Sequence, residues 1–340
     1  MGFKLPIIDI SSFVNKESQE SDRLLVVQQI RDACLVHGFF YLVGHGVQQE
    51  LIDRLDSLSR LFFQLDEETK QKYRMELGGK AWRGFFSLGG ELTSGKPDMK
   101  EGLYLGQELE QDHPLPIHGP NLFPTEVEGF KATILEYIDQ ITQLGHRVME
   151  ALSLSLNLDS QYFSKNYTAD PLILFRIFNY RTQVADDASE RWGVGEHTDY
   201  GLLTILYQDN IGGLQVKVPN QGWIPAPPIK NSFICNIGDM LERVTGGLYR
   251  STPHRVALNT TGKDRLSFPI FFDPNFNAKV RPIEGIETSD NSTERWDKSS
   301  VFSFEDTYGQ YLLKKIGLVF PDLKSQALDT TNNPIKPTAY

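Results

Sequence analysis

Apolar positions change their period along the chain, and the changes divide it. Residues 5–10 form a short apolar run opened by Pro6, which suits the start of a strand. From about residue 17 to 36, Leu24, Val27, Ile30 and Cys34 fall at helical spacing and predict an amphipathic helix. Residues 38–43 are aromatic and apolar, hence a buried strand. A second helix is expected over about 48–63, with Leu51, Leu55, Leu58 and Leu61 inward, and a short third one begins at Asp66 as N-cap. Residues 78–119 are rich in Gly, Pro and polar side chains and read as functional loops, with short strands at 82–86 and 100–105. The longest helical pattern runs from Pro124 to about Leu156, with Phe130, Ile134, Tyr137, Ile138, Ile141, Leu144, Val148 and Leu152 as its stripe. From Leu172 the period becomes that of strands, at 172–180, 202–208, 214–218, 232–236, 251–258 and 267–272. Gly- and Pro-rich turns separate them, so a sandwich or barrel is expected. Helix returns at about 304–316, and the residues from Ser325 read as a frayed polar tail. No internal repeat is found.

Composition adds mostly exclusions. The 340 residues are 40% hydrophobic and 23% charged, an ordinary globular mixture that allows one or two domains. A formal net charge of −10 argues against a nucleic-acid partner, which needs a basic surface. No apolar run reaches membrane-spanning length, and no signal-peptide core follows Met1. Cys34 and Cys235 sit in apolar segments and read as small buried hydrophobes. Together these features predict a cytoplasmic protein, taken to be a monomer. Three Asn-x-Ser/Thr matches, at Asn166, Asn259 and Asn291, are then coincidental.

Candidate chemistry centres on Glu196-His197-Thr198-Asp199-Tyr200-Gly201, which leads into a β-branched run. In a strand, residues two apart share a face, so His197 and Asp199 are expected to point the same way. His254 lies downstream. Two histidines and one carboxylate make the facial set that holds non-haem Fe(II) with positions left open. Ten residues after His254 comes Arg265-Leu266-Ser267. Arg265 and Ser267 share a strand face, and the guanidinium fork with a hydroxyl suits a carboxylate. A metal triad beside a carboxylate clamp is the equipment needed for 2-oxoglutarate. His45, between two glycines, reads as a turn residue, and Asp239 as a turn or cap residue.

The combination His197-x-Asp199, His254 and Arg265-x-Ser267 resembles the Fe(II)/2-oxoglutarate-dependent dioxygenases of the isopenicillin N synthase-like superfamily. Pro6-Ile7-Ile8-Asp9, His37-Gly38-Phe39-Phe40, Gly44-His45-Gly46, Lys100-Glu101-Gly102, Asn236-Ile237-Gly238-Asp239 and Pro269-Ile270-Phe271-Phe272 add to the likeness. It covers about residues 5–320. The resemblance implies a mainly β fold, a distorted double-stranded β-helix (jelly roll) with flanking helices. It implies an N-terminal region over 1–120, a long helix backing the barrel within 121–170, the jelly-roll core over 171–280 and a C-terminal helical segment and tail over 281–340. It further implies Fe(II) on His197, Asp199 and His254, with 2-oxoglutarate and O2 as co-substrates. Tyr180 matches the family tyrosine that contacts the co-substrate carboxylate. Phe178 stands where many members carry Asn, so a second contact there is not expected, and Arg181 replaces a proline.

The implied activity is hydroxylation, desaturation or cyclisation of a small molecule at an unactivated C–H, with release of succinate and CO2. Some members of the superfamily work without 2-oxoglutarate and also carry Arg-x-Ser, so that reading stays open, as does a non-catalytic iron or keto-acid sensor. For the substrate, Arg83 lies in Trp82-Arg83-Gly84-Phe85-Phe86, which resembles the family's Arg-Gly-Tyr strand. Arg176 is four residues before Tyr180 and shares its strand face. A small carboxylate-bearing substrate is therefore expected, held by Arg83 or Arg176 beside Phe85, Tyr104 and Phe272. The structural alternative pairs these arginines with Glu101, Asp239 or another internal acid.

Overall fold

The computed structural model of the protein describes residues 4–15, 17–184, 191–286 and 295–320. The polar tail from Ser325 and the Asn291 triplet lie outside the described residues. The N-terminal part contains β1 (Ile7–Asp9), α1 (Ser11–Val14), α2 (Glu20–Val36), β2 (Phe39–Val43), α3 (Gln49–Gln64) and α4 (Glu67–Gln71). After a 3-10 turn at Met75–Ala81 come β3 (Gly84–Phe86), the hairpin β4 (Leu92–Thr93) and β5 (Lys96–Pro97), and β6 (Glu101–Gly106). Helix α5 (Phe130–Ser155) leads to β7 (Leu172–Tyr180), β8 (Val194–His197), β9 (Leu203–Gln208), β10 (Leu214–Val218), β11 (Gly222–Pro225) and β12 (Phe233–Ile237). Helix α6 (Asp239–Val244), β13 (His254–Val256), β14 (Arg265–Asp273) and α7 (Tyr308–Val319) complete the order.

Two main sheets form a jelly roll. The larger has eight strands in the order β1-β2-β12-β9-β14-β7-β6-β3, and the smaller four in the order β11-β10-β13-β8. Among the described residues only the strands β1 and β2 pair in parallel; the other strand pairs in these sheets are antiparallel. The N-terminal strands therefore extend the same sheet as the core strands. β7 is buried at all nine positions because helices cover one face and the cavity lies on the other.

Helix α5 packs behind β14, β7 and β9, with α2 and α3 against it. It begins at Phe130, later than its apolar pattern suggests, because Gly129 adopts φ +78°, which starts the helix there. Gly145 makes the close approach possible: a Cβ there would run into the Phe272 ring. The stripes of the two earlier helices differ from expectation. α2 buries Val26, Ile30, Ala33 and Cys34 and leaves Leu24 58% exposed; Leu61 of α3 is 52% exposed. Packing against α5 selects a face rotated from the one the leucines alone suggest. Asp66 does cap α4, accepting from the Thr69 amide at 2.8 Å. β11 and the β4–β5 hairpin lie outside the segments expected to be strands.

Phe272 fills the seam between β14 and α5, edge-on to the His146 ring at 4.9 Å. Phe272→Ala should cost about 3–5 kcal/mol of stability. Thermal unfolding checks this; metal binding should be retained, and an unchanged Tm would contradict the packing role.

Candidate active site

The cavity opens between the two sheets. Its walls include Trp82, Glu91, Lys100, Tyr104, Arg176, Phe178, Tyr180, His197, Asp199, His254, Arg265, Ser267 and Phe271. Helix α7 closes one side with Leu312 and Val319.

His197 and His254 face each other as a direct cross-strand pair of β8 and β13. Partners opposite one another on adjacent strands project from the same face, and the two imidazole rings lie 4.2 Å apart. The strand expected to carry both His197 and Asp199 ends at His197. Asp199 follows in a turn, so strand alternation is not what aims it. The turn is pinned instead by α6: the Asp239 amide donates to the Asp199 carbonyl at 2.8 Å and the Met240 amide to that of Gly201 at 3.0 Å. Gly238 permits this approach, since a Cβ there would collide with the Gly201 carbonyl oxygen.

The Asp199 carboxylate is held from the large sheet. Its Oδ2 accepts from Thr204 Oγ1 of β9 at 2.5 Å and from Asn236 Nδ2 of β12 at 2.6 Å. Its Oδ1 is left facing the histidines, 3.8 Å from His197 Nε2 and 3.6 Å from His254 Nε2. All three ligand atoms lie within 4.8 Å of one another. The imidazoles are oriented as well. Nδ1 of His197 is 2.9 Å from the Gly195 carbonyl and Nδ1 of His254 is 3.2 Å from that of Thr252. An Nδ1–H donating to a carbonyl leaves the Nε2 lone pair for a metal. Burial opposes charge on Asp199, but the two imidazoles, Asn236 and Thr204 outweigh it and hold the carboxyl below its ordinary range. Burial, with His197 beside it, pushes His254 down and keeps it neutral. Two imidazole Nε2 atoms and one ionised carboxylate, converging on one point, fit Fe(II).

A second cluster lies deeper along β7 and β14. Arg265 and Tyr180 are register partners, and the guanidinium carbon stands 4.6 Å from the tyrosine ring centre. Arg265 is buried, and its Nη2 donates to Gln208 Oε1 at 3.0 Å. Its Nε and Nη1 have no hydrogen-bond partner among the described residues. Ser267 sits on the same face two residues on. Two buried, unspent guanidinium donors are costly unless an acceptor comes from outside.

The residues expected around the substrate separate into two groups. Arg176 and Tyr104 line the cavity. The Arg176 guanidinium lies 3.6 Å from the Tyr104 ring centre and 4.4 Å from that of Trp82. Its Nη1 donates to the Leu105 and Phe175 carbonyls at 3.1 and 3.0 Å, and the acids that act on it, Glu91 and Asp273, do so through space without an ion pair among the described residues. Arg83, Phe85 and Phe272 stand elsewhere. Arg83 lies outside the cavity, its Nη1 and Nη2 donating to the carbonyls of Ala81 at 2.9 Å and Ile117 at 3.2 Å over the space left by Gly106, while its Nε has no partner among the described residues. Phe85 packs on Phe62 of α3, and Phe272 on α5. With Arg265 and Ser267 inward, alternation puts Phe271 inward and Phe272 outward; the parity was available in the sequence. Of the internal acids, Glu101 takes Arg181 at 2.7 Å and Lys70 at 2.7 Å, and Asp239 takes Arg295 at 3.1 Å. Sequence reasoning missed Thr204, Gln208, Asn236 and Glu91. The first two follow from inward alternation along β9, while Asn236 and Glu91 needed the strand pairing and loop path.

Two outcomes follow. Asn236→Ala should weaken Fe(II) affinity roughly 10- to 100-fold, because the carboxylate loses one of its two fixing donors; metal titration reads this, and wild-type affinity would contradict it. The second concerns acid. His254 has a folded value below its unfolded one, so the unfolded chain binds more protons in the interval between them. Metal-free protein should therefore lose stability as pH falls below about 6.5. The slope of Tm against pH should be shallower in His254→Gln.

Comparison with known proteins agrees with this site. Residues 5–126 match the family model described as non-haem dioxygenase in morphine synthesis, N-terminal, and residues 172–274 match that of the 2OG-Fe(II) oxygenase superfamily. A protein of Dictyostelium discoideum named probable iron/ascorbate oxidoreductase is 58% identical, over 96% of this chain and 97% of its own. A 1-aminocyclopropane-1-carboxylate oxidase of the same organism is 46% identical, over 94% of this chain and 96% of its own. Among solved structures, a full-length Neurospora crassa protein in complex with alpha-KG and thymine superposes with a TM-score of 0.77 at 29% identity, covering 96% of this chain and 97% of that one. No helix among the described residues is long and apolar enough to cross a membrane. The chain belongs to the 2OG-Fe(II) oxygenase superfamily and is an iron- and 2-oxoglutarate-dependent oxidoreductase.

Proposed function

We propose that the protein oxidises a small, carboxylate-bearing molecule at an unactivated C–H, with Fe(II) held by His197, Asp199 and His254. Iron with 2-oxoglutarate and O2 supplies the oxidising power, and decarboxylation of the keto acid yields succinate and CO2. The protein's part is to bind, orient and keep water out. The carbonyl bonds at the two Nδ1 atoms and the Thr204 and Asn236 bonds at Asp199 prepare the ligand set before metal enters. Arg265, Ser267 and Tyr180 take the far carboxylate of 2-oxoglutarate. The observation that carries this assignment is the pair of buried, unspent donors on Arg265.

Arg176 takes the substrate carboxylate in this reading. It is a buried cation on the cavity wall, stacked on aromatic rings, and Glu91 and Asp273 act on it only through space, without an ion pair among the described residues. A 46% identical relative is named for a carboxylate, 1-aminocyclopropane-1-carboxylate, which supports the same class. Two relatives are named for ascorbate and for that oxidase, and they favour a second reading, oxidation without 2-oxoglutarate turnover.

Succinate release on adding small carboxylates to the Fe(II)-loaded protein, with 2-oxoglutarate and O2, separates the two. Coupled succinate supports the first reading; product without succinate supports the second. Arg265→Lys keeps the charge and loses the fork. It should raise the 2-oxoglutarate KM roughly 10- to 100-fold, about 1.5–3 kcal/mol for a charge-assisted bond. An unchanged KM would move the clamp elsewhere.

A further inference from the structure

Beside Arg176 the same cavity wall carries a carboxylate, Glu91, which precedes β4. One phenol links the two. The Arg176 guanidinium stacks on the Tyr104 ring, and the Tyr104 hydroxyl donates to Glu91 Oε1 at 2.6 Å. A guanidinium and a carboxylate thus stand within one tyrosine side chain of each other on the wall.

Glu91 shares its cationic neighbour with a second acid, Asp98. Lys100 Nζ lies 2.8 Å from Glu91 Oε2 but makes no aligned hydrogen bond to it. Lys100 is bound instead to Asp98, and Asp98 is further fixed by Thr93 Oγ1 at 2.7 Å and the Gly195 amide at 3.3 Å. Glu91 lines the cavity, and Asp98 does not. Burial opposes ionisation of Glu91, and Lys100, Tyr104 and Arg176 overcome this and hold its carboxyl below the ordinary range. Lys100 is thus shared between Asp98, which burial pushes above its ordinary range, and Glu91, with Arg176 on the other side of Glu91, so the four side chains, two acids and two bases, carry no formal net charge. A substrate that brought only an anion would leave Glu91 beside it as a like charge. One that brought an ammonium as well would match both charges and enter the site formally neutral.

We propose that Glu91 holds the ammonium group of the substrate, so that the substrate class is a zwitterionic amino acid, its carboxylate on Arg176 and its amine on Glu91. This rests on the carboxylate reading of Arg176 and adds a second, independent recognition element. Hydrogen bonds from an ammonium to a buried carboxylate discriminate strongly, because the analogue without the amine leaves that carboxylate unsatisfied.

The test is calorimetric binding to the Fe(II)–2-oxoglutarate protein without oxygen. The standard L-amino acids and 1-aminocyclopropane-1-carboxylate are the probes, each binder beside its deamino acid and its methyl ester. The deamino acid should bind roughly 10- to 100-fold more weakly than the amino acid. In Glu91→Gln the amino acid should fall to the level of its deamino analogue, while the affinity of the latter stays unchanged; a merely structural glutamate would weaken both equally. Deamino and amino acids of equal affinity in the wild type overturn the Glu91 assignment and leave Arg176 in place. A methyl ester as tight as the acid overturns the Arg176 reading instead. Binding of no amino acid overturns the zwitterion class. If Glu91→Gln does not fold, the wild-type comparison of analogues decides alone.

Discussion

The Asp199 carboxylate joins the two sheets. Its histidine neighbours belong to the four-stranded sheet, while the donors that fix it, Thr204 and Asn236, belong to the eight-stranded one. A metal bound across these three side chains therefore bridges the halves of the jelly roll. The turn that carries Asp199 is tied to the first turn of α6 and depends on the absence of a side chain at Gly238. A shift of any of these elements moves an oxygen that must stand within bonding range of a metal held by the other two ligands.

Charge is arranged around that point in closed groups. Glu101 gathers Lys70, Arg181 and Asn179. Asp239 and Glu242 share Arg295. Asp98 keeps Lys100. Buried ions are tolerated when each has its partner. Arg83 and Arg243, also buried, are held by backbone carbonyls away from the cavity, whereas Arg265 and Arg176 have no ion-pair partner among the described residues and line it.

Much of this was legible in the chain, for identifiable reasons. The spacing of His197, Asp199, His254, Arg265 and Ser267 is a one-dimensional record of a three-dimensional cluster, and it survives without knowledge of the strand order. The strand positions of β7, β10 and β14 followed from apolar runs and turn residues. Asp199 was aimed for a different reason than strand alternation, because its turn is shaped by α6, about forty residues on. Phe272 and Phe85 were misplaced where aromatic character was read without parity. Leu24 and Leu61 were misplaced because helix burial depends on the neighbouring helix as well as on the pattern. Asn236 and Glu91 reach the site through pairing and loop geometry, which a single sequence does not encode locally.

The opposition of His197 and His254 across β8 and β13 carries one more consequence. Strand pairing is a discrete variable: a slip by one residue turns every side chain of the strand to the other face. β13 has only three residues, and its register against β8 shifts between His254 and Val256. The competence of the metal centre is thus coupled to a stepwise choice of alignment rather than to a continuous adjustment of distance. A metal held by both histidines would tie the two strands at that pair, so the contact that places the ligands would also hold the pairing of β8 with β13.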